Sequence, residues 1–100
     1  VPNNGYIECL PKDIVVEVPG IVNKSGISGI TFKNYPAAFG SLLNSQSGVI
    51  QMTTDAVLNA SKHSAYLALL ADPVVNDSYQ AEKLLNNMLE TQGKFLYYLK

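Results

Sequence analysis

Few side chains in this sequence belong to the types that do chemistry, and they stand far apart. There is one His, His63, and one Cys, Cys9. A metal site built on His63 needs a second ligand at helical spacing, as in H-x-x-x-H, and the sequence holds none. His63 is therefore expected as an ordinary polar residue at a helix start. Cys9 lies in the alternating run Tyr6-Ile-Glu-Cys-Leu10 with no His beside it, so it reads as a small buried hydrophobe rather than a nucleophile. Glu8 and Glu17 are the acids nearest the strand-like segments. A general acid/base pair needs them to face one another; lacking a neighbour that tunes either carboxylate, they read as two solvent-facing strand positions. Asn3 and Asn4 carry amides suited to hydroxyl recognition, although Asn-Asn-Gly is first of all turn chemistry. Tyr6, Tyr35, Tyr66 and Tyr79 are dispersed and expected in the core with polar tips. There is no G-x-G-x-x-G, phosphate loop or G-x-S-x-G, and Gly26-Ile-Ser-Gly29 reads as a turn.

Composition narrows the partners. The 100 residues are 47% hydrophobic and 15% charged, with a net charge of −1. Apolar surface is ample to offset chain entropy, which argues against disorder. So few charges leave apolar surface to be covered by a partner or a missing domain. The seven basic residues are all Lys, scattered singly from Lys12 to Lys100. Without Arg forks or a basic cluster, nucleic-acid binding is not expected. A single Cys excludes an intrachain disulfide and suits a reducing compartment. With no long apolar run and no signal sequence, neither membrane insertion nor secretion is expected, and the location is expected to be cytoplasmic.

The elements that must position these residues fall into zones within one expected α+β domain, 1–100. Residues 1–35 are expected as short strands and turns and 36–100 as helices, the strands packed with the helical two-thirds. Tyr6–Leu10 and Ile14–Val18 read as two extended segments separated by Pro11, Lys12 and Asp13. Pro19, Gly20, Gly26 and Gly29 then break regular structure. Pro36 suits a first helical position, and Gly48 is an expected kink in the helix it opens. Ser61-Lys-His63 reads as a corner before the apolar AYLALLA, and Asp72-Pro73 as a stop. Asp77 or Ser78 caps the last helix. Its apolar stripe, Ala81, Leu84, Leu85, Met88, Gln92, Phe95, Leu96 and Leu99, is the cleanest in the chain.

The opening VPNNG is loop chemistry of the kind that joins two elements, so the chain is expected to be a piece of something larger. The string V-P-N-N-G-Y-I-x-x-L-P-x-D-x-V-V-E-V-P from Val1 to Pro19 resembles the C-terminal part of glycoside hydrolase family 4. Gly26-Ile27, Pro36, Thr53-x-x-Ala56 and A-x-L-A-L-L-A-D-P-V-V at 65–75 follow in the same order. The resemblance implies a parent enzyme four to five times longer, with an N-terminal dinucleotide-binding fold like that of lactate and malate dehydrogenases. It implies hydrolysis of glycosides by a redox route with NAD and a divalent metal, typically Mn2+. Hydride leaves C3 of the sugar, the C2 proton is taken, the leaving group is eliminated, and water and hydride then return. Such a route differs from the paired-carboxylate mechanism that most glycosidases use.

The family's cofactor loop, metal ligands and base lie upstream of VPNNG, so the resemblance transfers no catalytic, cofactor-binding or metal residue to this chain. Cys9 and His63 stand outside the metal-ligand contexts. The chain alone is expected to be inactive and to bind neither NAD nor Mn2+. What the resemblance implies for it is scaffold and part of a homo-oligomer interface. Its partners are then the N-terminal dinucleotide-binding portion and, in the parent, a sugar, with Asn3 and Asn4 as candidate pocket-rim residues. The alternative is an independent helical interaction or oligomerisation module without catalytic activity, suggested by the helical stripe and the low charge.

Overall fold

In the computed structural model, which describes residues 1–100, the chain is α+β and divides into two compact units, Val1–Ser47 and Gly48–Lys100. The strands lie in the first third and the helices follow, as expected. The strands do not fall where the alternation pattern places them.

The regular strands are β1 (Gly20–Asn23) and β2 (Gly26–Gly29), an antiparallel hairpin in which Val22 faces Ile27. This is the stretch whose glycines were expected to break structure. Gly26 takes φ +114°, a left-handed value open to glycine at no steric cost, and so closes the turn. The Asn23 side chain accepts from Ser25 N–H at 2.8 Å within it. Tyr6–Leu10, by contrast, is not a strand. Ile7 and Leu10 are its buried residues; three apart, they suit a turn rather than the period of two that the alternation suggested. Ile14–Val18 is extended but makes only one isolated bridge, Pro2 with Val15.

Helix α1 (Ala37–Leu58) follows Pro36 and passes through Gly48 without a break, against the expected kink. Its carbonyls keep their ladder, and Ser41, Ser47, Thr53 and Thr54 each add a hydroxyl bond to the carbonyl four residues back. The corner comes earlier than expected, at Asn59–Ser61. Ser61 N–H donates to Ala56 O at 3.0 Å and Ala60 N–H to Val57 O at 3.2 Å, with Ala60 at φ +53°. That is the paired bonding of a Schellman stop, carrying Ala where Gly is usual. Ser61 is then the N-cap of α2 (Lys62–Ala71), accepting from Ser64 N–H.

Asp77 caps α3 (Ser78–Thr91) by accepting from Tyr79 N–H at 2.8 Å and Gln80 N–H at 3.1 Å. The helix breaks at Gln92, one residue before Gly93, and α4 (Gly93–Leu96) is a single turn. Within the second unit α3 packs on α2 through Ala68, Ala81 and Leu85. Small residues at the contact let the two backbones approach closely. The expected face is only partly right: Ala81 and Leu85 are buried, whereas Leu84, Met88 and Phe95 are exposed. Lys100 is tied to the corner, its N–H donating to Ala60 O and its carbonyl accepting from Lys62 N–H.

Candidate functional site

Of the residues capable of chemistry, only Asn3 is built into an organised polar centre. It is fully buried, at 0% exposure. Its Nδ2 lies 2.9 Å from Ile7 O, 3.0 Å from Leu10 O and 3.0 Å from Pro11 O, and its Oδ1 accepts from Ile7 N–H at 2.7 Å. A buried amide costs little only when its hydrogen-bonding capacity is met, and here both ends are met. Asn3 N–H also donates to Ile14 O and Asn4 N–H to Lys12 O. The Asn3 side chain thus gathers the turn at Tyr6–Pro11, while backbone bonds of the same residue and of Val1 hold the loop to the 14–16 segment.

This staple projects its neighbours outward. Asn4 sits at φ +44° and Gly5 at φ +93°, so the chain reverses in left-handed conformations that Asn and Gly tolerate best. Asn4 is exposed, and its amide makes no hydrogen bond within the chain. Tyr6 packs behind, its hydroxyl oxygen accepting from Gly29 N–H at 3.3 Å and its carbonyl from Phe32 N–H at 2.8 Å. The loop therefore shows solvent a single free amide on a fixed backbone. Of the expected rim pair, Asn3 has spent its amide on the fold and Asn4 has not.

The remaining candidates are not brought together. Glu8 and Glu17 are both exposed. Cys9 is exposed rather than buried. Its Sγ lies where a side chain on Gly40 would begin, 2.6 Å from that position, so it lies along α1 without being enclosed. His63 is exposed at the start of α2, as expected. It lines a cleft of about 420 Å³ with Lys62, Tyr66, Glu82 and Lys100, in the other unit from Cys9. Glu82 and Lys100 are distant in sequence from the α2 residues Lys62, His63 and Tyr66, and no local signal announced their meeting. Tyr66 donates to Ser78 O at 3.3 Å, while Tyr79 is exposed rather than in the core, since it follows the N-cap on the outer face of α3. An apolar cavity of about 240 Å³ lies within the second unit among Ala56, Ala65, Ala68, Leu85, Met88 and Leu99.

These donors do not fit a metal ion or a dinucleotide. No three of the His, Cys, Asp and Glu residues gather within ligating reach, and no glycine-rich turn opens a helix as a phosphate site requires. No helix is long and apolar enough to cross a membrane.

Comparison with known proteins agrees with the loop. Residues 1–75 match the family 4 glycosyl hydrolase C-terminal domain. The chain is 36% identical over 100 residues, its whole length, to an alpha-glucosidase of Erwinia rhapontici, covering 22% of that protein. It is 31% identical to an alpha-galactosidase of Rhizobium meliloti, over 96% of the chain and 20% of the relative. It is also 31% identical to the 6-phospho-beta-glucosidase BglT of Thermotoga maritima, over 94% of the chain and 23% of the relative. The chain belongs to glycoside hydrolase family 4, as its C-terminal domain. It spans about a fifth of the length of these relatives. No solved structure matches it.

Proposed function

We propose that this chain is the scaffold and oligomer-interface portion of a cytoplasmic glycosidase that works by nicotinamide-dependent redox elimination and addition. The catalytic portion is then a lactate/malate dehydrogenase-like domain upstream, which carries the NAD and Mn2+ that the present donors do not fit. One observation carries the reading: the family match spans the loop that Asn3 staples, the only organised polar centre here. The range of relatives supports the redox route. Their names include alpha-glucosidases with and without phosphate and 6-phospho-beta-glucosidases. Direct displacement fixes two carboxylates for one anomeric geometry, whereas oxidation and elimination at neighbouring carbons place no such demand on the glycosidic bond.

In this reading the chain's own residues bind, orient and exclude water. Asn3 fixes the loop, and Asn4 presents a free amide at the rim of the sugar pocket, where a hydroxyl is a fitting partner. Val15, Val22, Ile27 and Phe39 in the first unit, and Ile50, Leu58, Val74 and Phe95 in the second, are exposed apolar side chains. They supply the surface that the N-terminal portion and a second subunit cover.

The test is the full-length enzyme with chromogenic α- and β-glucosides, free and 6-phosphorylated. Activity is expected to vanish when NAD or metal is withdrawn and to return with Mn2+. The isolated 100 residues are expected to be inactive and to show no calorimetric NAD binding. One-to-one NAD binding by the isolated chain, or full activity without nicotinamide, overturns the reading. A compact, soluble monomer that needs no upstream portion favours the independent module.

A further inference from the structure

We infer that the segment directly preceding Val1 in the full-length protein extends the antiparallel pairing along Ile14–Val18, making Glu17–Val18 the edge on which the catalytic portion docks. The inference rests on the proposed reading that a catalytic portion lies upstream. Val1 and Val16 form a mutual backbone pair: Val16 N–H donates to Val1 O at 2.8 Å and the Val1 nitrogen donates to Val16 O at 3.1 Å. Asn3 N–H donates to Ile14 O at 2.8 Å, and Pro2 faces Val15 between the two pairs. Hydrogen-bonded and non-bonded pairs alternate in an antiparallel ladder. Stepping upstream, Glu17 must therefore face the residue directly before Val1 in a non-bonded pair. Val18 must exchange both bonds with the residue two before Val1.

The edge is open for that exchange. Val18 N–H and C=O have no backbone partner, although both belong to the same ladder as Val16. The side chains already alternate as a strand's do: Ile14, Val16 and Val18 are half-buried, while Val15 and Glu17 are exposed. A β-branched run with this alternation but only one bridge is a strand whose partner is one segment short. The position two before Val1 then falls on the inner face, is apolar, and is not proline, since its N–H is needed. Because Asn3 sits two residues into the same strand, this continuity also sets where Asn4 lies relative to the catalytic portion.

The experiment uses the full-length protein in a Cys9→Ser background. Glu17→Cys is combined with a cysteine directly before Val1. Non-bonded antiparallel pairs bring Cα atoms to about 4.5 Å, within the disulfide range of about 4.4–6.8 Å. Mild oxidation is expected to close this bridge, seen as an intact cross-linked peptide by mass spectrometry. The same upstream cysteine with Val15→Cys, about 7–8 Å away on the diagonal, is expected to stay reduced. In the unmodified protein, residue-resolved hydrogen exchange is expected to slow the Val18 amide about 100-fold relative to Glu17, whose N–H points away from the new strand. Failure of the Glu17 bridge, closure at Val15 instead, or a Val18 amide as fast as that of Glu17 overturns the inference. Nicotinamide-dependent glycosidase activity with an unprotected Val18 sinks this docking edge alone. A protected Val18 in a protein without that activity sinks the functional reading alone.

Discussion

The two units solve the same problem of ordering a short chain by different means. Val1–Ser47 has one small hairpin and almost no regular sheet, so its order comes from polar wiring: the amide of Asn3, the hydroxyl of Tyr6 and a set of turn bonds. Gly48–Lys100 is helices, whose backbone bonds are satisfied locally, so its order comes from small apolar residues meeting across α2 and α3. Polar wiring has few points and each is indispensable. Apolar packing has many and degrades by degrees.

The sharpest way to break the comparison is at Asn3. Asn3→Ala leaves Ile7 N–H without its acceptor and the carbonyls of Leu10 and Pro11 without their side-chain donor, while Ile7 O keeps its bond from Leu10 N–H. Each buried polar group left unpaired costs about 1–3 kcal/mol. The variant is expected to lose about 4 kcal/mol in denaturant unfolding, and Asn4→Ala under about 1 kcal/mol. Equal midpoints for the two would show that Asn3 is no staple.

In the helical unit the corresponding point is Leu85, buried between α3 and α2. Leu85→Asp places an unpaired charge in apolar surroundings and is expected to cost about 3 kcal/mol. Lys83→Asp, on the exposed face, is expected to cost less than about 1 kcal/mol. The cap is a smaller lever. Asp77→Ala removes two bonds to helix N–H groups and is expected to cost about 1 kcal/mol. A loss at Asp77 as large as at Leu85 would mean that capping, not packing, holds this unit.

The difference between the units also explains what the sequence disclosed. Helix positions, the Asp72-Pro73 stop and the Asp77 cap were legible because helices are governed by local periodicity and end chemistry. The strands were misplaced because Tyr6–Leu10 alternates like a strand, yet Asn3 collects its carbonyls into a turn. That is an interaction across several residues which no alternation records. The half-truth of the α3 face has a related cause. An apolar stripe announces burial without saying against what, and Leu84, Met88 and Phe95 stay 46%, 43% and 62% exposed in this chain. The same limit applies to the rim: Asn-Asn-Gly promised a turn, but which amide faced inward depended on carbonyls four to eight residues away.

The smallest effects come from exchanging two residues of the α1 region. Gly48 lies inside α1, and a methyl group added there meets nothing within 4 Å. Gly48→Ala removes backbone freedom from the unfolded chain at no steric cost, and is expected to stabilise by about 0.4–1 kcal/mol. Ala60 is the reverse case, an L-residue held at φ +53° after the helix end. Its Cβ there crowds the following carbonyl oxygen, a strain of roughly 1–2 kcal/mol. Ala60→Gly relieves that strain but gives back unfolded-state entropy of roughly 0.5–1 kcal/mol, so a net gain of about 0.5 kcal/mol is expected. The double variant is expected to show the sum, since the residues are well separated along the helix. By contrast Gly29, in the wired unit, has Tyr6 Cζ 2.7 Å and Val18 Cγ2 2.9 Å from where a Cβ would sit. Gly29→Ala is expected to lower the unfolding midpoint under the same conditions in which Gly48→Ala raises it. If all three substitutions moved it in the same direction, the contrast between a closely fitted first unit and a helical second unit with room at its glycine would be lost.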